Sequence, residues 1–96
     1  MTEQEKRKIR PLSKQEESVL EALHFMLSFE DLMRETSIDE KTLSELLRTL
    51  IEDELVQALM WQSDKNDFIP LDEVPNDLRT LHFLATKHGL FSYHAS

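Results

Sequence analysis

Ninety-six residues make one domain, with room for a single core and too few for a core plus an elaborate catalytic pocket. Apolar residues make up 40% of the chain, enough for a folded core, while the absence of cysteine excludes a disulfide framework and a thiolate metal site. Nineteen acids against eleven bases give a net charge of −8, which repels nucleic acid at long range. That charge is uneven: residues 1–15 carry +3, residues 16–77 carry −13, and residues 78–96 carry +2. No apolar run approaches the ~18 residues of a membrane span. The charged start, Met1 to Arg10, has no apolar stretch behind it of the signal-peptide kind. These features lead us to expect a soluble, cytoplasmic protein without a membrane segment.

In chain order, residues 1–11 are polar, lack apolar periodicity and end at Pro11, so they read as a flexible basic arm ahead of a domain over 12–96. Ser13 followed by Glu16 is a capping box. Val19, Leu20, Leu23, Met26 and Leu27 then recur at helical spacing and predict a first helix over 13–27. Ser28 with Asp31 opens a short helix whose Phe29, Leu32 and Met33 face inward. Thr36 to Asp39 breaks it, and Asp39 caps a third helix with Leu43, Leu46, Leu47, Leu50 and Ile51 on its apolar stripe. Leu55 to Trp61 reads as a strand. Residues 62–77 read as a long loop, with the turn cluster Ser63 to Asp67, two prolines (Pro70 and Pro75) and a brief apolar patch of Phe68, Ile69 and Leu71. Arg79 to Ala85 returns as a strand, and Thr86 caps a last helix containing Leu90, Phe91 and Tyr93. The fold class expected is α+β, mainly α: a winged helix-turn-helix with a three-helix bundle, a β-hairpin wing and a short C-terminal helix.

Several stretches resemble one family. Leu12 to Glu16 with Val19-Leu20 and Ala22-Leu23 is similar to the opening helix of the MarR-like (multiple-antibiotic-resistance regulator) winged-helix proteins. Phe29 to Leu32, Ile38, Lys41 to Ser44 and Leu46-Leu47 resemble their helix-turn-helix. Asp77 and Arg79 match the Asp-x-Arg of the wing, and Thr86 and Gly89 the Thr-x-x-Gly that opens the following helix. Four features depart from the pattern. Glu45 stands where a base is frequent, Glu54 where glycine is common before Leu55, the stretch between the strands is long, and the long terminal dimerisation helices are missing. The resemblance implies a DNA-binding transcription regulator without a cofactor. Its arginine, here Arg79, would reach the minor groove while held by Asp77.

The apolar stripe of the third helix leaves Lys41, Thr42, Ser44, Glu45, Arg48, Thr49 and Glu52 pointing away from the core. Of these, Lys41, Thr42, Ser44, Arg48 and Thr49 can contact phosphates or base edges, and with Asp77 and Arg79 they form the expected DNA-binding set. The same helix face is otherwise an ordinary solvated surface, and Asp77/Arg79 an ordinary surface ion pair. The arm Lys6 to Arg10 would add phosphate contacts or merely solvate. His82, His88 and His94 are spaced by six, unlike helical metal ligands, so they read as structural or surface residues and no metal site is expected. Gly89 is the sole glycine, which rules out a glycine-rich phosphate loop, and no nucleophile triad is spaced for catalysis; the chain reads as a non-enzyme.

Two functions compete at this level. One is a regulator reading double-stranded DNA with helix 39–53 and the wing, as a homodimer built on the first helix, the arm or the last helix. The other is an acidic winged-helix module that binds a partner protein, motivated by the −13 segment, Glu45, and the apolar wing residues Trp61, Phe68, Ile69 and Leu71. The charge near the contacting residues favours the first where it differs in sign from the whole.

Overall fold

The computed structural model describes residues 11–95. Each of its four helices begins at a short polar side chain that takes up an otherwise unpaired backbone N–H. Ser13 Oγ accepts from Glu16 N at 3.1 Å while Glu16 Oε1 accepts from Ser13 N at 2.9 Å, and this capping box opens α1, Lys14–Ala22. Ser28 Oγ accepts from Asp31 N at 3.1 Å and opens α2, Phe29–Thr36. Asp39 Oδ2 accepts from Thr42 N at 3.1 Å and opens α3, Glu40–Glu52. Caps of this kind contribute about 1 kcal/mol each.

The first helix stops five residues short of the expected 27. Leu27 and Ser28 form a two-residue strand, β1, paired with Phe83 and His82. The reason is local: as the cap of α2, Ser28 needs an extended backbone (ψ 165°), and that conformation also suits strand pairing. Leu27 keeps its helical spacing from Leu23 but serves the sheet.

The end of α3 carries a Schellman motif. Leu55 N donates to Leu50 O at 2.8 Å and Glu54 N to Ile51 O at 3.0 Å, with Glu54 left-handed at φ 63°. Buried Leu50 and Leu55 supply the apolar contact that accompanies such an ending. The position where glycine is common therefore does adopt a glycine-like conformation, here with a glutamate in it.

β2 (Val56–Gln62), β3 (Asp67–Pro70) and β4 (His82–Ala85) join β1 in an antiparallel sheet of order β1-β4-β2-β3. β3 falls within the stretch expected to be loop. It pairs Met60 with Ile69 and Gln62 with Asp67, so the outer half of β2 closes a hairpin across the turn 63–66, where Asn66 sits at φ 53°. The chain then runs back through 71–81, burying Leu78 and Leu81, before β4 pairs with the inner half of β2. The returning strand accordingly starts at His82 rather than Arg79, because residues 78–81 form a turn closed by Leu81 N donating to Leu78 O at 3.2 Å.

α4, Lys87–Ala95, is fastened to the α3–β2 junction. Thr86 Oγ1 donates to Glu54 O at 2.7 Å and accepts from Gly89 N at 2.9 Å, and Thr86 N donates to Leu55 O at 3.0 Å. A Cβ on Gly89 would lie 2.0 Å from Leu55 O, so only glycine permits this approach. Thr86 and Gly89 thus act as a clasp between chain segments thirty residues apart. Leu20 of α1 and Leu23 at its end, Phe29 and Leu32 of α2, and Leu43, Leu47 and Leu50 of α3 pack on Val56, Ala58 and Phe83 to form one core. The described residues make an α+β fold of four helices and a four-stranded antiparallel sheet. Among them, no helix is long and apolar enough to cross a membrane.

Candidate interaction site

The burial of Leu43, Leu47 and Leu50 turns the opposite side of α3 outward. Lys41, Glu45, Thr49 and Glu52 are exposed there, and Thr42, Ser44 and Arg48 are half-buried. Ser44 and Arg48 share a stripe with Glu40, since residues four apart lie on one helical face. The segment 75–79 runs beside that stripe. Arg48 donates through Nη2 to the carbonyls of Asn76 and Pro75, the latter at 3.4 Å. Arg79 forms a fork with Asp77, Nε to Oδ1 at 3.0 Å and Nη2 to Oδ2 at 3.2 Å, and its Nη1 lies 3.8 Å from Glu40 Oε2.

Arg48 and the Asp77–Arg79 pair, about thirty residues apart in sequence, therefore meet on one surface. Arg79 lies on the return path beside the first turn of α3, and the hairpin tip is Ser63 to Asn66. Arg48 is engaged in holding the return segment to α3. Sequence reasoning missed Glu40 as a partner of Arg79 and the carbonyls that hold Arg48. Glu40 was visible as the residue one turn before Ser44 on the same stripe; nothing in the sequence marked the carbonyls.

The Arg79 guanidinium, hydrogen-bonded to Asp77, holds the Asp77 carboxyl below the usual carboxylate range. In turn Asp77, and more weakly Glu40, raise the pKa of Arg79. Asp39 is lowered by its hydrogen bonds from Thr42. Beside this surface lies an open groove of about 540 Å³, lined by Met33 and Ile38 with Glu30, Arg34, Ser37, Asp39 and Glu40 around them.

The histidines go to separate places. His82 packs on Phe68 at 4.6 Å between ring centroids, whereas His94 packs on His24 at 5.5 Å, with Tyr93 5.4 Å from His24. His24 Nδ1 donates to the Leu20 and Glu21 carbonyls at 3.1 and 2.9 Å, so that nitrogen carries the proton. Burial and then Glu21 raise the pKa of the Tyr93 hydroxyl. Among the described residues, no group of three or more histidines and carboxylates is placed to hold a metal ion.

On the hairpin, Trp61 is 46% exposed, and Phe68, Ile69 and Leu71 are half-buried. The basic stretch Lys6 to Arg10 lies outside the described residues. No protein-family model, curated protein or solved structure compared with the chain matches it.

Proposed function

We propose that the chain is a winged helix-turn-helix domain of the MarR-like kind, used as a docking module for a basic partner protein. In this reading α2 and α3 are the helix-turn-helix and β2 with the returning β4 forms the wing, β3 lying in the connection between them; the fold itself is compatible with many functions. The observation that carries the reading is the charge of the helix–return surface. Asp39, Glu40, Glu45, Glu52 and Asp77 stand there against Lys41, Arg48 and Arg79, and both arginines are already bonded within the chain. Placed on duplex DNA, this surface would set five carboxylates against phosphates. A basic protein meets the same surface with complementary charge. The module needs no cofactor and performs no reaction.

A second reading, a DNA-binding regulator acting as a homodimer, is favoured by one observation. Asp77 positions the Arg79 guanidinium beside the start of α3, which bears Lys41, Thr42 and Ser44. One experiment separates the two: polarisation titrations at ~50 mM salt, where phosphate contacts are strongest, with mixed duplex DNA and with an arginine-rich peptide. Saturable peptide binding without DNA binding is expected. DNA binding that Arg79→Ala removes would overturn the docking reading.

A further inference from the structure

The register of the sheet sorts its side chains onto two faces. Val56 and Ala58 pair with Ala85 and Phe83, and all four are buried. The alternate residues, Gln57 opposite Leu84, Leu59 opposite His82 and Trp61 opposite Phe68, lie on the other face. There the rings form a continuous row. Trp61 and Phe68 are 5.0 Å apart at 65°, and Phe68 and His82 are 4.6 Å apart at 54°. Leu59, Phe68, His82 and Leu84 are half-buried and Trp61 is exposed, so the row is reachable from solvent. His82 Nδ1 is buried and has no hydrogen-bond partner.

The neighbouring strand edge is closed. Ile69 and Asp67 bond to β2, so Phe68 and Pro70 present their backbone outward. Phe68 N already donates to Asp67 Oδ1 at 2.7 Å, and Pro70 has no N–H. A partner adding as a further strand finds no donor there, whereas one lying across the rings meets π-faces reachable from solvent. Asp64 and Asp67 are exposed at the hairpin end, and residues 62–76 carry four exposed carboxylates against Lys65 alone.

We propose that the Trp61–Phe68–His82 row is a docking surface for an arginine-bearing apolar segment of a partner protein. This rests on the docking reading above and names the surface and the chemistry it selects. A guanidinium stacks on an indole or phenyl face and still donates in its own plane to an acceptor, which a lysine ammonium does less well. The carboxylates at the rim supply the charge match, and Leu59 and Leu84 the apolar contact.

Trp61 is the sole tryptophan of the chain, so its emission reports on this surface directly. The probe is a short peptide alternating arginine and leucine, titrated at ~150 mM salt to screen loose attraction, with lysine and glutamate analogues as comparators. Trp61 emission should shift and saturate with the arginine peptide. Binding should weaken about threefold with lysine and vanish with glutamate. A labelled arginine peptide should lose about tenfold in affinity to Trp61→Ser, whose fold is checked by circular dichroism. An arginine peptide that binds while leaving Trp61 emission unchanged, and that shifts amides of α3 instead, overturns this surface and leaves the docking reading standing. Failure of every basic probe even at ~50 mM salt overturns both.

Discussion

The two faces of the sheet carry comparable apolar side chains and meet opposite fates. Val56, Ala58, Phe83 and Ala85 are buried on one, while Leu59, Trp61, Phe68, His82 and Leu84 keep part of their surface on the other. What separates them is where the helices attach. α3 runs through its Schellman ending straight into β2, and α4 leaves β4 through the Thr86–Gly89 clasp, so both helices attach at the end of the sheet where Val56 pairs with Ala85. Apolar content marks a strand; the connections determine which face becomes core.

The largest test sets one phenylalanine against another. Phe83 is fully buried, its ring 6.4 Å from that of Phe29, so Phe83→Ala should destabilise by about 3–5 kcal/mol. Phe68→Ala on the outer face should lose about 1 kcal/mol, the scale of a cross-strand pair. Urea denaturation of both variants checks this, and equal losses would erase the distinction between the faces.

Next in size is the clasp that creates the distinction. With a Cβ at Gly89 2.0 Å from Leu55 O, Gly89→Ala forces α4 away from the α3–β2 junction. The expected destabilisation is about 1–3 kcal/mol, as for overpacking elsewhere. Backbone amides of Thr86 and Leu90 should then exchange faster with solvent, since their acceptors Leu55 O and Thr86 O sit at that junction. Unchanged stability and exchange would show that the clasp does not hold the layers together.

Much of this inner architecture was legible in the sequence. Ser13, Ser28, Asp39 and Thr86 announced helix starts through side chains that bond a few residues ahead, and the stripe of Leu43, Leu47 and Leu50 announced a buried face. Both signals are local, so no tertiary knowledge is needed to read them. The outer features are not local. β3 is an apolar doublet, Phe68-Ile69, inside a turn-rich stretch, and it becomes a strand because β2 offers it the edge on the side away from β4. Helical geometry points Arg48 outward, but that a distant segment presents two carbonyls to it has no sequence signal. His24 joined His94 for the same reason, through packing between α1 and α4 that neither residue's neighbours indicate.

A smaller effect tests the junction from the other side. Glu54 holds a left-handed conformation at φ 63°, which glycine adopts without the Cβ penalty. Glu54→Gly should raise stability by about 0.5 kcal/mol, because the greater freedom of an unfolded glycine offsets part of the gain. Thermal denaturation reads the difference. A loss instead would mean that the Glu54 side chain contributes more than its backbone strain costs.

The smallest effect lies on the helix–return surface, where the interactions are polar and solvated rather than packed. Asp77 and Asp39 have carboxyl pKa values below those of the unfolded chain, Asp77 through Arg79 and Asp39 through Thr42. Their contribution is therefore complete above the ordinary carboxylate range near pH 4, and it is lost as pH falls through the lower folded values. Both groups are exposed, so the change in stability is slight and the individual titrations are the better measurement. Carboxyl carbon shifts followed by NMR should show Asp77 titrating at higher pH in Arg79→Ala, while Asp39, bonded to Thr42 and not to Arg79, keeps its value. If both move together, the return segment and the start of α3 form one coupled unit. The Arg48 tether to Pro75 and Asn76 would then be the route of that coupling, which Arg48→Ala should cut without touching either carboxylate's own partner.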